Sequence, residues 1–186
     1  MGEQKGLRMK EQHQGFALWF TGLPAAGKST LAEAVAVQLR RQGVAVEILD
    51  SDQLRQVLTP HPTYEDDERD WFYAVMVYIG QLLTNHGVNV LFAATAARRT
   101  YRDVARQMIP RFAEIYVDCP LERLQARDPK GIYAKAAAGT IHNVPGVDTP
   151  YEPPLNPEVV VHTEQQSVAE GVAILIAFLR SREWVQ

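Results

Sequence analysis

Gly22-Leu23-Pro24-Ala25-Ala26-Gly27-Lys28-Ser29, followed by Thr30, fills every fixed position of the pattern G-x-x-x-x-G-K-[ST]. Its flanks decide how it is read. Before it, Phe16-Ala17-Leu18-Trp19-Phe20 is an apolar run with the length of a buried strand, and Thr21-Gly22 ends it as a turn. After it, Leu31 to Arg41 has helix-forming composition and stops at Gly43. Strand, glycine turn and helix in that order form the setting in which such a loop wraps a polyphosphate. Gly22 and Gly27 let the chain curl with its N–H groups inward, and the helix start adds a positive end. Lys28 brings a mobile charge to the terminal phosphates, and the Ser29 hydroxyl is a ligand for Mg2+. Residues 22 to 30 therefore read as a nucleoside triphosphate site.

Outward from this loop, strands and helices alternate. Val44 to Leu49 reads as a strand running into Asp50-Ser51-Asp52, where Ser51 or Asp52 is placed to cap a short helix, Gln53 to Leu58. Thr59-Pro60-His61-Pro62 breaks the chain. Acidic residues Glu65 to Glu68 precede a helix over Trp71 to Leu83, closed by Gly87. Strand Val88–Ala94, helix Arg98–Met108, strand Phe112–Val117 and helix Leu121–Arg127 follow, and strand Val159–Val161 with helix Ser167–Arg180 closes the order. That alternation predicts an α/β fold: a doubly wound parallel five-stranded sheet with helices on both faces. Residues 128–157 are the exception, a proline-rich stretch with little apolar periodicity, and a loop that long in a compact domain reads as a lid or binding loop.

With 186 residues, the expected organisation is a flexible tail over 1–14 and one domain over 15–186, with 128–157 as its lid. A formal charge of -3 argues against bulk-charge binding to nucleic acid. No apolar run approaches the ~20 residues that cross a bilayer, and the N-terminus lacks a signal-type apolar segment, so a cytoplasmic protein is expected. A lone Cys119 reads as a small buried apolar residue. The histidines are scattered without metal-ligand spacing. Arg98, Arg99 and Arg102 read as a solvated helix face. The apolar run Trp71 to Ile79 is too continuous for a one-sided helix and reads as core or interface.

Phosphate loops serve kinases, GTPases, motor ATPases and switches. No N-K-x-D guanine signature occurs, the chain has no room for a second motor domain, and Val88–Ala94 ends in Ala93-Ala94-Thr95-Ala96 without an acidic residue. The acidic pair instead follows the second strand, at Asp50 and Asp52, in the crevice where α/β sheets bind ligands. One of these carboxylates is placed to hold a metal-bound water and the other to accept an acceptor's hydroxyl proton, and either fits either role. These features indicate an ATP-dependent small-molecule kinase, with Lys28, Asp50 and Asp52 as catalytic candidates.

Several stretches are distinctive in combination. They are Trp19 to Leu23 with the phosphate loop, Leu49-Asp50-Ser51-Asp52-Gln53-Leu54-Arg55, and Glu114 to Glu122. Arg127-Asp128-Pro129-Lys130-Gly131-Ile132-Tyr133 and Gly146 to Pro154 complete the set. Together they resemble the adenylyl-sulfate (APS) kinase family, from about Gly15 to Arg180. The resemblance implies the P-loop nucleotide-kinase fold, Mg2+ held by Ser29 and Asp50, and transfer of the γ-phosphate of ATP to the 3′-hydroxyl of APS. It implies a lid over both nucleotides and, since the family is commonly dimeric, a homodimer. Arg127 joins the ATP-binding residues by the same resemblance. On the acceptor side the resemblance points to Asp52, Arg55, Tyr64, Arg69, Phe72, Ile141, His142 and Val144. Here the chain departs from the family: Phe72 stands where the family has Asn, Ala96 replaces its serine, and Ile141-His142-Asn143-Val144 replaces I-K-N-F. Two further readings therefore accompany APS phosphorylation: a kinase for another hydroxyl, and a nucleotide binder without turnover.

Overall fold

The computed structural model describes residues 14–186. The expected tail lies outside the described residues except for Gln14, which is tied to the body: its side chain donates to Asn85 and its carbonyl accepts from Arg111. The elements run β1 (Ala17–Thr21), α1 (Lys28–Arg41), β2 (Val46–Asp50), α2 (Ser51–Leu58), α3 (Asp66–Asn85), β3 (Asn89–Ala93), α4 (Arg99–Met108), β4 (Phe112–Asp118), α5 (Leu121–Arg127), α6 (Ile132–Ala137), β5 (Val159–His162) and α7 (Val168–Ser181). The strands form one parallel sheet in the order β2-β3-β1-β4-β5. The expected five-stranded doubly wound sheet is the fold observed.

Strand β1 shows why both faces are covered. Phe16, Leu18 and Phe20 pack into one core with Leu31, Val35 and Leu39 of α1 and Leu175 and Leu179 of α7. Ala17 and Trp19 point the other way, to Phe72, Tyr73 and Met76 of α3 and Ala105 of α4. A strand buried on both faces has no polar alternation, which explains its unbroken apolar run. Trp19 stacks on Phe92 with ring centroids 4.6 Å apart, and its indole N–H donates to the Ala94 carbonyl.

The differences from expectation have local causes. Helix α2 begins at Ser51 and its cap is Asp50, not Ser51 or Asp52: the Asp50 carboxylate accepts from the N–H groups of Asp52 and Gln53. Helix α3 starts at Asp66 because its acidic residues make up the first turn rather than precede it. Its apolar run proves one-sided, burying Phe72, Tyr73, Met76, Val77 and Gly80 and exposing Trp71, Tyr78 and Leu82. Arg102 is buried, not solvated: it pairs with Glu114 and also donates to the Ala96 and Glu152 carbonyls. Part of residues 128–157 is helical (α6), opened by Gly131 in the left-handed region. Among the described residues no helix is long and apolar enough to cross a membrane.

Candidate active site

Strand order reverses about β1, and the chemistry-bearing residues gather at the carboxyl ends of β1 and β2. Strand β1 ends at Thr21 and runs into the phosphate loop at Gly22, where a Cβ would lie 2.3 Å from the Val117 carbonyl oxygen. Only glycine fits that approach. Helix α1 starts at Lys28 with Gly27 as its cap. Among the described residues it has no side-chain cap and no acidic residue in its first turn, which leaves its first N–H groups to a ligand.

The Lys28 ammonium donates to the carbonyls of Gly22 (3.0 Å) and Leu23 (2.8 Å). Burial disfavours its charge, nearby Lys130 adds to the effect, and Asp52 and Asp50 oppose it only in part. Its pKa is pulled down to about 8. A phosphate beside Lys28 restores the missing counter-charge.

The two aspartates separate in role. Asp50 is buried and committed, with one carboxylate oxygen capping α2 and the other accepting the Ser29 hydroxyl at 2.6 Å. Asp52 is exposed and pairs with Lys130 at 2.5 Å, and this contact holds the Lys130 ammonium above its ordinary pKa. Ser29 and Asp50 bring a hydroxyl and a carboxylate oxygen together beside the phosphate loop, a hard-oxygen pair that suits Mg2+, whose remaining positions are commonly filled by phosphates and water.

On the opposite side, Arg55 is buried between two rings, 3.9 Å from the Phe72 centroid and 4.8 Å from that of Tyr64. It also pairs with Glu68. Burial works against ionisation of Glu68, but hydrogen bonds from Thr63 and Arg55 outweigh it and hold its carboxyl below the usual range. Phe72 was expected to touch an acceptor; it is fully buried and reaches the site only as the platform under Arg55. Tyr64 and Arg69 line a cleft of about 470 Å³ with Glu65, Asp66, Asp67, Asn143 and Thr149. Ile141 is half-buried and Val144 buried, while His142 is exposed beside Asp148 at 3.9 Å. None of these three lines that cleft.

Residues 128–157 grip the phosphate loop through contacts that sequence reasoning missed. The Tyr133 hydroxyl donates to the Pro24 carbonyl at 2.9 Å. Tyr151 hydrogen-bonds Thr21 at 3.1 Å, with its phenol pushed up by burial to about 12. Arg127 donates to the carbonyl and hydroxyl oxygens of Thr163, and the Thr163 hydroxyl donates to Ala26. Arg127, Lys130 and Tyr133 lie within one stretch quoted for the resemblance and Tyr151 within another, whereas Thr163 carried no signal. Four non-glycine residues with left-handed backbone, Ala25, Tyr64, Ala96 and Asn143, surround the site, the kind of strain that clusters where a fold holds a ligand.

Comparison with known proteins agrees with this geometry. The family model described as adenylylsulphate kinase matches residues 14–162. The adenylyl-sulfate kinase of Synechococcus sp. (strain JA-3-3Ab) is 43% identical over 173 residues, covering 93% of this chain and 98% of that protein. Another, from Synechococcus sp. (strain JA-2-3B'a(2-13)), is 44% identical over 172 residues, covering 92% and 98%. The structure of the Mycobacterium tuberculosis APS kinase in complex with AMPPNP and APS superimposes with a TM-score of 0.85 at 33% identity, covering 90% of this chain and 98% of that one.

Proposed function

The chain belongs to the adenylyl-sulfate kinase family, and from that premise we propose that it transfers the γ-phosphate of ATP to the 3′-hydroxyl of APS. Membership makes it an ATP-dependent phosphotransferase; the acceptor is the proposed part. The observation that carries the reading is the division of labour between Asp50 and Asp52. Asp50, tied to Ser29 and to the start of α2, belongs to the cation side. Asp52, exposed and held by a single ion pair, is the carboxylate free to take a proton.

In this mechanism Lys28 leaves the carbonyls of Gly22 and Leu23 for the β- and γ-phosphates. Ser29 and Asp50 would hold Mg2+, which neutralises charge on the transferred phosphoryl group. Lys130 gives up Asp52, and Asp52 accepts the proton of the 3′-hydroxyl as the new O–P bond forms and the bond to ADP breaks. Arg55, fixed by Phe72, Tyr64 and Glu68, faces the acceptor's anionic groups with its geometry set in advance. Residues 128–157 act as the lid that excludes water. ADP release measured with and without APS tests this reading. Release that requires APS, with a 3′-phosphorylated product, supports it. Release only with another hydroxyl compound, or nucleotide binding without release, refutes it.

The chain is further proposed to form a homodimer through α3, where Trp71, Val75, Tyr78 and Leu82 follow a four-three-four spacing on one face. Trp71, Tyr78 and Leu82 are 49%, 60% and 47% exposed. Sedimentation of the native chain and of Tyr78→Glu tests this: a dimer that dissociates in the variant is expected, and a native monomer refutes it.

A further inference from the structure

Arg69 lies near the start of α3 and is buried, yet among the described residues no carboxylate pairs with it. Its Nε donates to the Tyr64 carbonyl at 2.7 Å and its Nη2 to the Asn143 carbonyl at 2.5 Å. Both acceptor residues have left-handed backbone, with φ of 58° and 63°. A tyrosine seldom holds that conformation unless its surroundings impose it.

Asn143 opens a compact turn. The Asp148 carboxylate accepts the N–H groups of Asn143 and Val144, and the Val144 carbonyl accepts those of Val147 and Thr149. The far side of the turn rests on the phosphate loop. A Cβ on Gly146 would lie 2.5 Å from Leu23 Cδ2, and the Leu23 carbonyl accepts from Lys28. Helix α3, the 143–149 turn and the phosphate loop thus form one packed path.

We infer that Arg69 is a positioning residue, a latch that holds the 143–149 turn against Leu23 so that the acceptor cleft and the phosphate loop are set together. Its charge is spent on two main-chain carbonyls. An arginine fork satisfies both at once, and a lysine, with one ammonium at the end of its chain, does not.

The test uses the full chain without acceptor, so it stands whether or not APS is the acceptor; only its kinetic arm rests on that reading. In Arg69→Lys, amide exchange of residues 143–149 is expected to rise by about tenfold or more, as for a segment that opens locally. Affinity for magnesium–AMPPNP by calorimetry falls several-fold although Arg69 does not touch the phosphate loop. With APS, KM rises and kcat falls together. Gly146→Ala works from the other end: the added methyl strains the left-handed backbone (φ 85°) and presses on Leu23, so exchange at 143–149 rises on either account, and a fall in AMPPNP affinity with Arg69 intact is the arm that reads the path. Should Arg69→Lys fail to fold, Asp148→Asn loosens the same turn and takes its place. Unchanged exchange in Arg69→Lys with only the acceptor KM raised makes Arg69 a plain substrate ligand and overturns the latch. Unchanged AMPPNP affinity in Gly146→Ala overturns the path to the phosphate loop.

Discussion

Lys28 supplies a prediction whose sign and size both follow from the structure. Burial holds its pKa near 8 in the unliganded protein, whereas a phosphate contact favours the charged form. ATP binding in mildly alkaline solution must therefore take up a proton. At about pH 8.5 a group of this pKa is roughly three-quarters deprotonated, so about 0.75 proton is absorbed per nucleotide bound. ATP affinity then falls as pH rises through the same value, approaching about tenfold per pH unit above it. Folding stability moves the opposite way. The unfolded lysine titrates near 10.5 and the folded one near 8, so unfolding absorbs a proton between these values and the unliganded protein gains stability across that window. Calorimetry with AMPPNP in two buffers of different ionisation enthalpy reads the uptake directly. Lys28→Met abolishes it along with turnover. Uptake near zero in the native protein, or uptake that survives in Lys28→Met, refutes the argument.

Asp52→Asn is expected to lower turnover by about 10²–10⁴-fold, the range for a lost general base, with little change in AMPPNP affinity. Equal turnover in the variant shows that Asp52 is not the base. Phe72→Leu keeps an apolar side chain but removes the ring 3.9 Å from the Arg55 guanidinium. Loss of about 0.5–2 kcal/mol is expected, with a raised acceptor KM and unchanged nucleotide affinity, read by denaturant melts and initial rates. Gly80→Ala sets a Cβ 2.1 Å from Phe92 Cζ at the contact of α3 with the sheet, and a fall in stability of about 1–3 kcal/mol should appear in the same melts. Glu114→Gln leaves the buried Arg102 charge without its partner; a cost of about 3–5 kcal/mol is expected, whereas an unaltered melt would sink the assignment of Arg102 as buried and paired.

What the sequence made legible was local. The phosphate loop, its strand and its helix are contiguous, so a fixed spacing and two flanking periodicities suffice to place them. Helix ends were harder. Lys28 already lies in α1 because Gly27 turns the chain there, and the acidic run before Trp71 belongs to α3. Helix α6 is short and lies among prolines and glycines that mask its period. Contacts across the fold left no local trace. Lys130 reaches Asp52 from 78 residues away, and Arg102 meets a glutamate on a neighbouring strand. Arg102 carries the same local pattern as a solvated arginine, and only the sheet beside it decides that it is buried. Phe72 illustrates a second limit. A position matched by resemblance to an acceptor contact says nothing of side-chain direction, and an apolar ring there packs into the core.

The packing of the positions at which the sequence departs from the resembled pattern bears on whether the proposed acceptor site is in use. A pocket released from use loses side chains one at a time and keeps the cavities and orphaned donors they leave behind. Here the residues at those positions support one another. Phe72 fills the space under Arg55 with no exposure of its own. Its neighbour Tyr73 accepts the N–H of Ala96 and stacks on Tyr101 at 4.5 Å. The Ala96 carbonyl is taken by Arg102, which also holds Glu152 at the far end of the 128–157 segment. Ala96 keeps a left-handed backbone that costs about 1–3 kcal/mol in a non-glycine residue, so the surrounding bonds are holding a shape rather than relaxing one. Burial of this kind costs nothing extra only when each change fits the others. These residues therefore form a closely packed, mutually supported wall, the arrangement expected if the proposed acceptor site is in use.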